Sequence, residues 1–362
     1  VADGATLAGI RVDDREEVTF DVENIFGLPP KGMNAVIDRV TVIDLESGTA
    51  TPDRSIVIED GRIARVVAPS EAASAPGQRV DGQGLFAIPG LFDLSARWGE
   101  VLPRQVLAAG ITTVLDRGSD LPLLFALRDA CDASLMPGPR TYGSGPRLEQ
   151  GSLHRVSIDG PAEAEAAARH LAEHGCEWVE LGASLPRETR RAAARAATSR
   201  QLPAGLSSDD LGALLGGIAD GAYSVTGTPG AGVHNDVVRL LAMSGVVWSP
   251  AIGEVACDYR AHRDPAFFDA NHWGPSLSRK LVAESPVVPS SDEGRDEVVA
   301  ALAASTIGAM RGGAHLALAT DSPGPFRLYG ATLAAELEAM VAAGATPAEA
   351  LRTATIEPAA TL

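Results

Sequence analysis

Two carboxylates, Glu180 and Asp321, stand on apolar runs at 177–182 and 315–321. A carboxylic acid facing a carboxylate is the minimum set for moving a proton, because a shared apolar setting drives one of the two to hold its proton. A third run, 85–98 (LFAIPGLFDLSARW), ends on Ser95, Arg97 and Trp98. Arg97 is suited to pair with Asp321, which would keep that carboxylate ionised, and to clamp a carboxylate or phosphate on a ligand. The plainer reading of such a pair is a structural ion pair. Ser95 and Ser207 offer hydroxyls that can donate to a carbonyl. Neither has a histidine beside it in sequence, so a nucleophilic serine has little support. His154, His234, His262 and His272 fall on expected loops, and two carboxylates with one histidine are a possible metal set. His170 and His174 are spaced i, i+4 near the end of an expected helix, where contact with the helix dipole explains them.

These residues need elements that bring them to one place. From residue 85 onward a β/α alternation runs eight times. The expected strands are 86–94, 111–116, 139–145, 177–182, 203–207, 222–226, 246–250 and 315–321. Between them lie Ala-rich amphipathic stretches at 101–109, 121–133, 161–174, 187–200, 208–219, 234–244, 295–311 and 331–343, with a further helix at 347–355. Asp209-Asp210 before Leu211 is a start signal, and Gly175, Gly245 and Gly344 are stop signals. Eight such pairs predict an α/β chain folded as a (β/α)8 TIM barrel, with chemistry at the C-terminal strand ends. Before the barrel, 36–45 and 55–67 alternate apolar and polar positions, and Glu59-Asp60-Gly61 is a hairpin signal. The expected domains are a small β-sandwich at 1–84 and the barrel at 85–362.

The run at 85–98 resembles the first barrel strand of the amidohydrolase superfamily, which reads P-G-L-I-D-x-H-x-H. Gly110-Ile111-Thr112-Thr113-Val114, Met136-Pro137-Gly138-Pro139-Arg140, Thr320-Asp321-Ser322 and Ala350-Leu351-Arg352-Thr353-Ala354-Thr355 carry the resemblance further, over essentially 36–362. The nearest subgroup is prolidase-like and imidazolonepropionase-like. The resemblance implies metal-dependent hydrolysis, in which a metal polarises a carbonyl and acidifies water. It also implies where the ligands belong, and there this chain departs. Ser95 and Arg97 replace two histidines, Glu180 stands where two-metal members carry a lysine, and Ser207 and Thr226-Gly227 replace two more histidines. Asp321 alone is kept. Lysine occurs only at Lys31 and Lys280, neither on an expected barrel strand. A guanidinium has no acceptor and a hydroxyl is a poor zinc ligand, so no metal and no cofactor is expected. The resemblance further implies that the sandwich needs strands after the barrel, and 9–22 is expected to supply them.

The reading from the residues is thus a metal-independent acid–base enzyme acting on a small organic molecule by cyclisation, dehydration, isomerisation or hydrolysis. The alternatives are a non-catalytic binding or scaffold protein, and a metal hydrolase with other ligands. Asp321, Glu180 and Arg97 are the candidate catalytic residues. Ser95, Trp98, Ser207, His154, Tyr259 and His262 are the candidate ligand contacts. The last two lie in 251–294, an aromatic and Pro-containing connection expected to form a lid over the mouth or a dimer contact. The net charge of −17 over 362 residues disfavours nucleic acid and anionic membranes as partners. Three scattered cysteines and the absence of a long apolar run or a signal-peptide pattern suggest a cytoplasmic protein.

Overall fold

The computed structural model describes residues 34–98, 103–150, 156–227, 233–263, 295–324 and 327–362. The segment 9–22, expected to complete the small sheet, and His154 and His272 lie outside the described residues.

The N-terminal sheet has five strands: β1 (Ala35–Asp44), β2 (Thr49–Glu59), β3 (Arg62–Val67), β4 (Gln78–Asp81) and β5 (Phe86–Ala87). Its order is β3-β2-β1-β4, with β5 also pairing with β1. The β2–β3 hairpin turns at Asp60 and Gly61, both with positive φ, at 50° and 74°. Two left-handed residues in a two-residue loop match the right-handed twist of the strands, which is why Asp-Gly sits there. Val36, Val57, Ala72 and Ala75 form its small core.

The remaining strands run parallel and alternate with helices. They are β6 (Leu91–Ala96), β7 (Ile111–Asp116), β8 (Arg140–Gly143), β9 (Leu148–Glu149), β10 (Val156–Ser157), β11 (Val179–Gly182), β12 (Ala204–Ser207), β13 (Ser224–Thr226), β14 (Val247–Ser249) and β15 (His315–Leu316). Each of the eight expected strands overlaps one of these, and β9 and β10 are short additions. The helices begin and end where side chains satisfy their termini. Leu211–Asp220 starts on Asp210, which accepts from Ala213 N at 2.7 Å, and stops at Gly221 with φ 94°. Pro347–Thr353 starts with a capping box of Thr346 and Glu349.

A single closed ladder is not what these strands form. They pair as a three-stranded sheet, β6-β7-β8, and a seven-stranded sheet, β10-β9-β11-β12-β13-β14-β15. Single hydrogen bonds cross between them: Leu94 N to Leu318 O at 3.0 Å, Arg97 N to Ser322 O at 2.8 Å, and Glu177 N to Gly143 O at 3.0 Å. The seam has a physical reason. The Asp93 carboxylate accepts from the backbone N–H of both Ser95 and Thr320, which removes two donors from a ladder there. Register shifts on both sides of Asp93 accompany this. Leu94, Leu115, Trp178, Val247, Ala317 and Ala319 fill the space between the strands, and two larger clusters lie between strands and helices.

The segment 251–294, expected to be a lid, begins instead with a helix, Ile252–Arg263. Ile252, Val255 and Ala256 recur at helical spacing and pack inward. Tyr259 and His262 lie on this helix, but their side chains are outside the described residues, as is 264–294. Among the described residues no helix is long and apolar enough to cross a membrane.

Candidate active site

Asp93 is fixed first, because the rest of the first strand end depends on it. It is fully buried and accepts from Ser95 N at 3.1 Å, Thr320 N at 3.0 Å and Thr320 Oγ1 at 2.5 Å. Burial pushes its pKa up to about 6, against the lowering effect of these donors, and the nearby Asp321 charge adds to the rise. This clamp ties the end of β6 to the segment carrying Asp321. Ser95 Oγ then lies 3.5 Å from Asp321 Oδ1, and Arg97 Nη2 lies 3.5 Å from Asp321 Oδ2. A third partner, not anticipated, is closer: Arg327 Nη1 stands 3.0 Å from Asp321 Oδ2 and 2.6 Å from Glu254 Oε1. Asp321 adopts φ 50°, a left-handed backbone rare for residues other than glycine.

Glu180, on β11, is fully buried. Its Oε1 accepts from Ser207 Oγ at 2.6 Å, and its Oε2 lies 3.5 Å from Arg117 Nη1. Arg117 follows β7 directly and is itself fully buried. It donates to Thr226 Oγ1 at 2.8 Å and Ser224 Oγ at 3.2 Å, and its guanidinium carbon sits 5.0 Å from the centre of the Trp178 ring. Burial lowers the Arg117 pKa and the Glu180 charge opposes that. Gly205 on β12 lets this pair close, since a Cβ there would stand 2.5 Å from Glu180 Oε2.

The two groups meet across one cavity of about 270 Å³. Ser207, Thr226, Asp321, Arg327, Glu254 and Arg147 line it, together with Ser208, Asp209, Gly227 and Ala251. Ala251 also has positive φ, 52°, so two strained non-glycine residues border the same space. Gly227 leaves no room for a side chain: a Cβ there would stand 1.9 Å from the Ser208 carbonyl oxygen. That position takes glycine because backbone passes against it.

Other expected residues sit elsewhere. Trp98 is buried in the core, 6.4 Å from the Tyr329 ring, with its backbone N–H held by Asp116 at 2.8 Å; it does not line the cavity. Tyr329 donates in turn to the Arg97 carbonyl. His170 and His174 stack on each other at 4.0 Å, and the His174 Nδ1 meets the His170 carbonyl at 2.8 Å. The residues that sequence reasoning missed are Arg117, Arg147, Arg327 and Asp93. Asp93 lies in an expected strand and Arg117 directly follows one, a signal present in the sequence, whereas Arg147 and Arg327 stand two and six positions past theirs.

A divalent cation needs several carboxylate, imidazole or thiolate donors converging on one point. Among the described residues no group of three or more His, Cys, Asp or Glu side chains does so. Glu180 and Asp321 each face a guanidinium where a cation would have to bind. The donor set present does not fit a metal ion.

No family model matches the chain, and no curated protein matches it. Solved structures do. A Bifidobacterium longum protein assigned as a prolidase superposes with a TM-score of 0.74 at 21% identity, covering 92% of this chain and 84% of that one. A Xaa-Pro dipeptidase with bound methionine gives 0.69 at 18% identity, covering 91% and 88%. A bottromycin amidohydrolase gives 0.71 at 18% identity, covering 92% and 78%. The chain shares its α/β fold with these prolidase- and amidohydrolase-type structures.

Proposed function

We propose that this chain is a metal-independent enzyme of the amidohydrolase superfamily, acting on a small organic molecule held in the cavity at its strand ends. The observation that carries this reading is the pairing of both strand-end carboxylates with arginine, Glu180 with Arg117 and Asp321 with Arg97 and Arg327. We infer that the parallel strands form one (β/α)8 barrel whose seam is sewn by the Asp93 clamp and the cross-sheet hydrogen bonds from Leu94, Arg97 and Glu177. In that frame Asp321 is the proton-handling group, because it alone of the two carboxylates reaches the cavity. Arg97 and Arg327 fix the position of its carboxylate at the cavity edge. Glu180 orients the Ser207 hydroxyl and neutralises Arg117. Ser95 steadies the Asp321 carboxylate.

A second reading, a non-catalytic small-molecule binder, draws on one observation: Glu180 is sealed from solvent and cannot exchange a proton with a ligand directly. Two measurements separate the possibilities. Elemental analysis of purified protein is expected to find no stoichiometric zinc, manganese or nickel, and stoichiometric metal would sink the metal-independent mechanism. Untargeted incubation with a metabolite extract is expected to show a conversion by the wild-type protein that Asp321→Asn abolishes. A conversion that survives this substitution removes Asp321 from the chemistry, and no conversion at all favours the binder.

A further inference from the structure

We propose that Arg147 anchors a compact anion, a carboxylate or phosphate borne by the small molecule in the cavity. The proposal rests on reading that cavity as the ligand site, and it names the chemical class of the ligand.

The four arginines of the region differ in what already holds them. Arg117 donates two hydrogen bonds, to Thr226 and Ser224, and pairs with Glu180. Arg327 is held by Glu254 and Asp321. Arg97 contacts Asp321 and does not line the cavity. Arg147 is different. Its side chain is 14% exposed and lies on the cavity wall, and its nearest carboxylate oxygen among the described residues, Glu149 Oε1, is 3.6 Å away. That exceeds hydrogen-bonding distance. Its Nε is buried without a partner, as are those of Arg97 and Arg117, but Arg147 alone of the four has no side-chain hydrogen bond at any nitrogen among the described residues. A guanidinium presents five N–H donors in a planar fork shaped for a carboxylate or phosphate. One withdrawn from water with so little in return is a site in want of an anion.

The same wall supplies further donors. Thr226 Oγ1 accepts from Arg117, which leaves its own proton to give away. Ser208 Oγ accepts from Asp210 N at 3.1 Å and is in the same condition. Both residues line the cavity with Arg147. An anion there would also offset the mutual repulsion of Arg117 and Arg147, two cations in low dielectric. Two of the three carboxylates of the wall, Asp321 and Glu254, are engaged by Arg327, and the third, Asp209, makes no ion pair with Arg147. The cavity, about 270 Å³, is smaller than sites for drug-sized ligands, which suits a small metabolite.

Sodium phosphate and sodium acetate, titrated at constant ionic strength against a chloride reference, test this by calorimetry and by the concentration dependence of Tm. One of the two is expected to bind saturably, and the tighter one tells a phosphate site from a carboxylate site. Arg147→Gln is expected to weaken that binding at least tenfold. Arg147→Lys should fall between, since it keeps the charge and loses the fork, and it decides the matter if the glutamine variant does not fold. Neither anion exceeding chloride, or unchanged affinity in a folded Arg147 variant, overturns the assignment. Asp321→Asn keeps the two readings apart. Loss of conversion in that variant with no anion binding by the wild type leaves the enzyme standing without the anion. Arg147-dependent anion binding with conversion intact in Asp321→Asn does the reverse.

Discussion

The two arginine–carboxylate groups of the strand ends are alike in chemistry and opposite in solvation. Arg117 and Glu180 are entirely buried, roofed by Trp178 and closed by hydroxyls of Ser207, Ser224 and Thr226. Asp321 is 24% exposed and keeps one face on a cavity, with Arg327 beside it on the same wall and Arg97 outside the lining. The first group resembles a rivet and the second a working surface. A pair taken fully out of water must satisfy itself internally, because desolvation of each ion costs several kcal/mol. A pair left at a cavity wall can exchange partners with whatever enters.

The sharpest way to break the comparison is to open the buried pair. Arg117→Met strands an uncompensated carboxylate and is expected to cost about 3–5 kcal/mol in urea unfolding. The double change Arg117→Met with Glu180→Met is expected to recover most of that loss. If the single change is as mild as one at the surface, the pair is not sealed as described.

Another fully buried carboxylate extends the contrast. Glu336 makes no ion pair among the described residues: burial raises its pKa to about 8, opposed by the backbone donors Gly253 and Ile252. It therefore stays protonated at neutral pH. For an acid whose folded-state pKa is raised, stability is greatest below the unfolded value near 4.5 and falls as pH rises toward 8. Glu336→Gln is expected to flatten that fall, visible in Tm measured from pH 5 to 9. An unchanged slope would mean that Glu336 is already ionised in the fold.

The smallest effect on stability is expected at the cavity wall. Asp321→Asn should cost no more than about 1 kcal/mol, since its pairs are partly solvated, while it removes the charge the chemistry would need. A larger loss would make Asp321 a second rivet.

Much of the scaffold was legible because it depends on short-range patterns. The eight expected parallel strands lie within a few residues of β6, β7, β8 and β11 to β15. Asp60-Gly61 and Asp210 marked a real turn and a real cap. The site was less legible. Ser95, Arg97, Ser207, Glu180 and Asp321 were placed at strand ends, and the fold brings them around one cavity and its rear wall. Trp98 went into the core, because its position just past the strand allows either direction and packing against Tyr329 chose one. Arg147 and Arg327 were not anticipated, since both come from segments whose path depends on neighbours distant in sequence.

The sequence by itself determined the order of the elements and the replacement of potential metal donors by hydroxyls and a guanidinium, because residue type and local periodicity carry that information. Only the tertiary structure decided that Arg117 meets Glu180, that Arg327 joins Arg97 at Asp321, and which of those pairs water can reach. Partner choice and burial are set by side chains far apart in the chain, such as Arg117 and Thr226, and no local pattern encodes that distance.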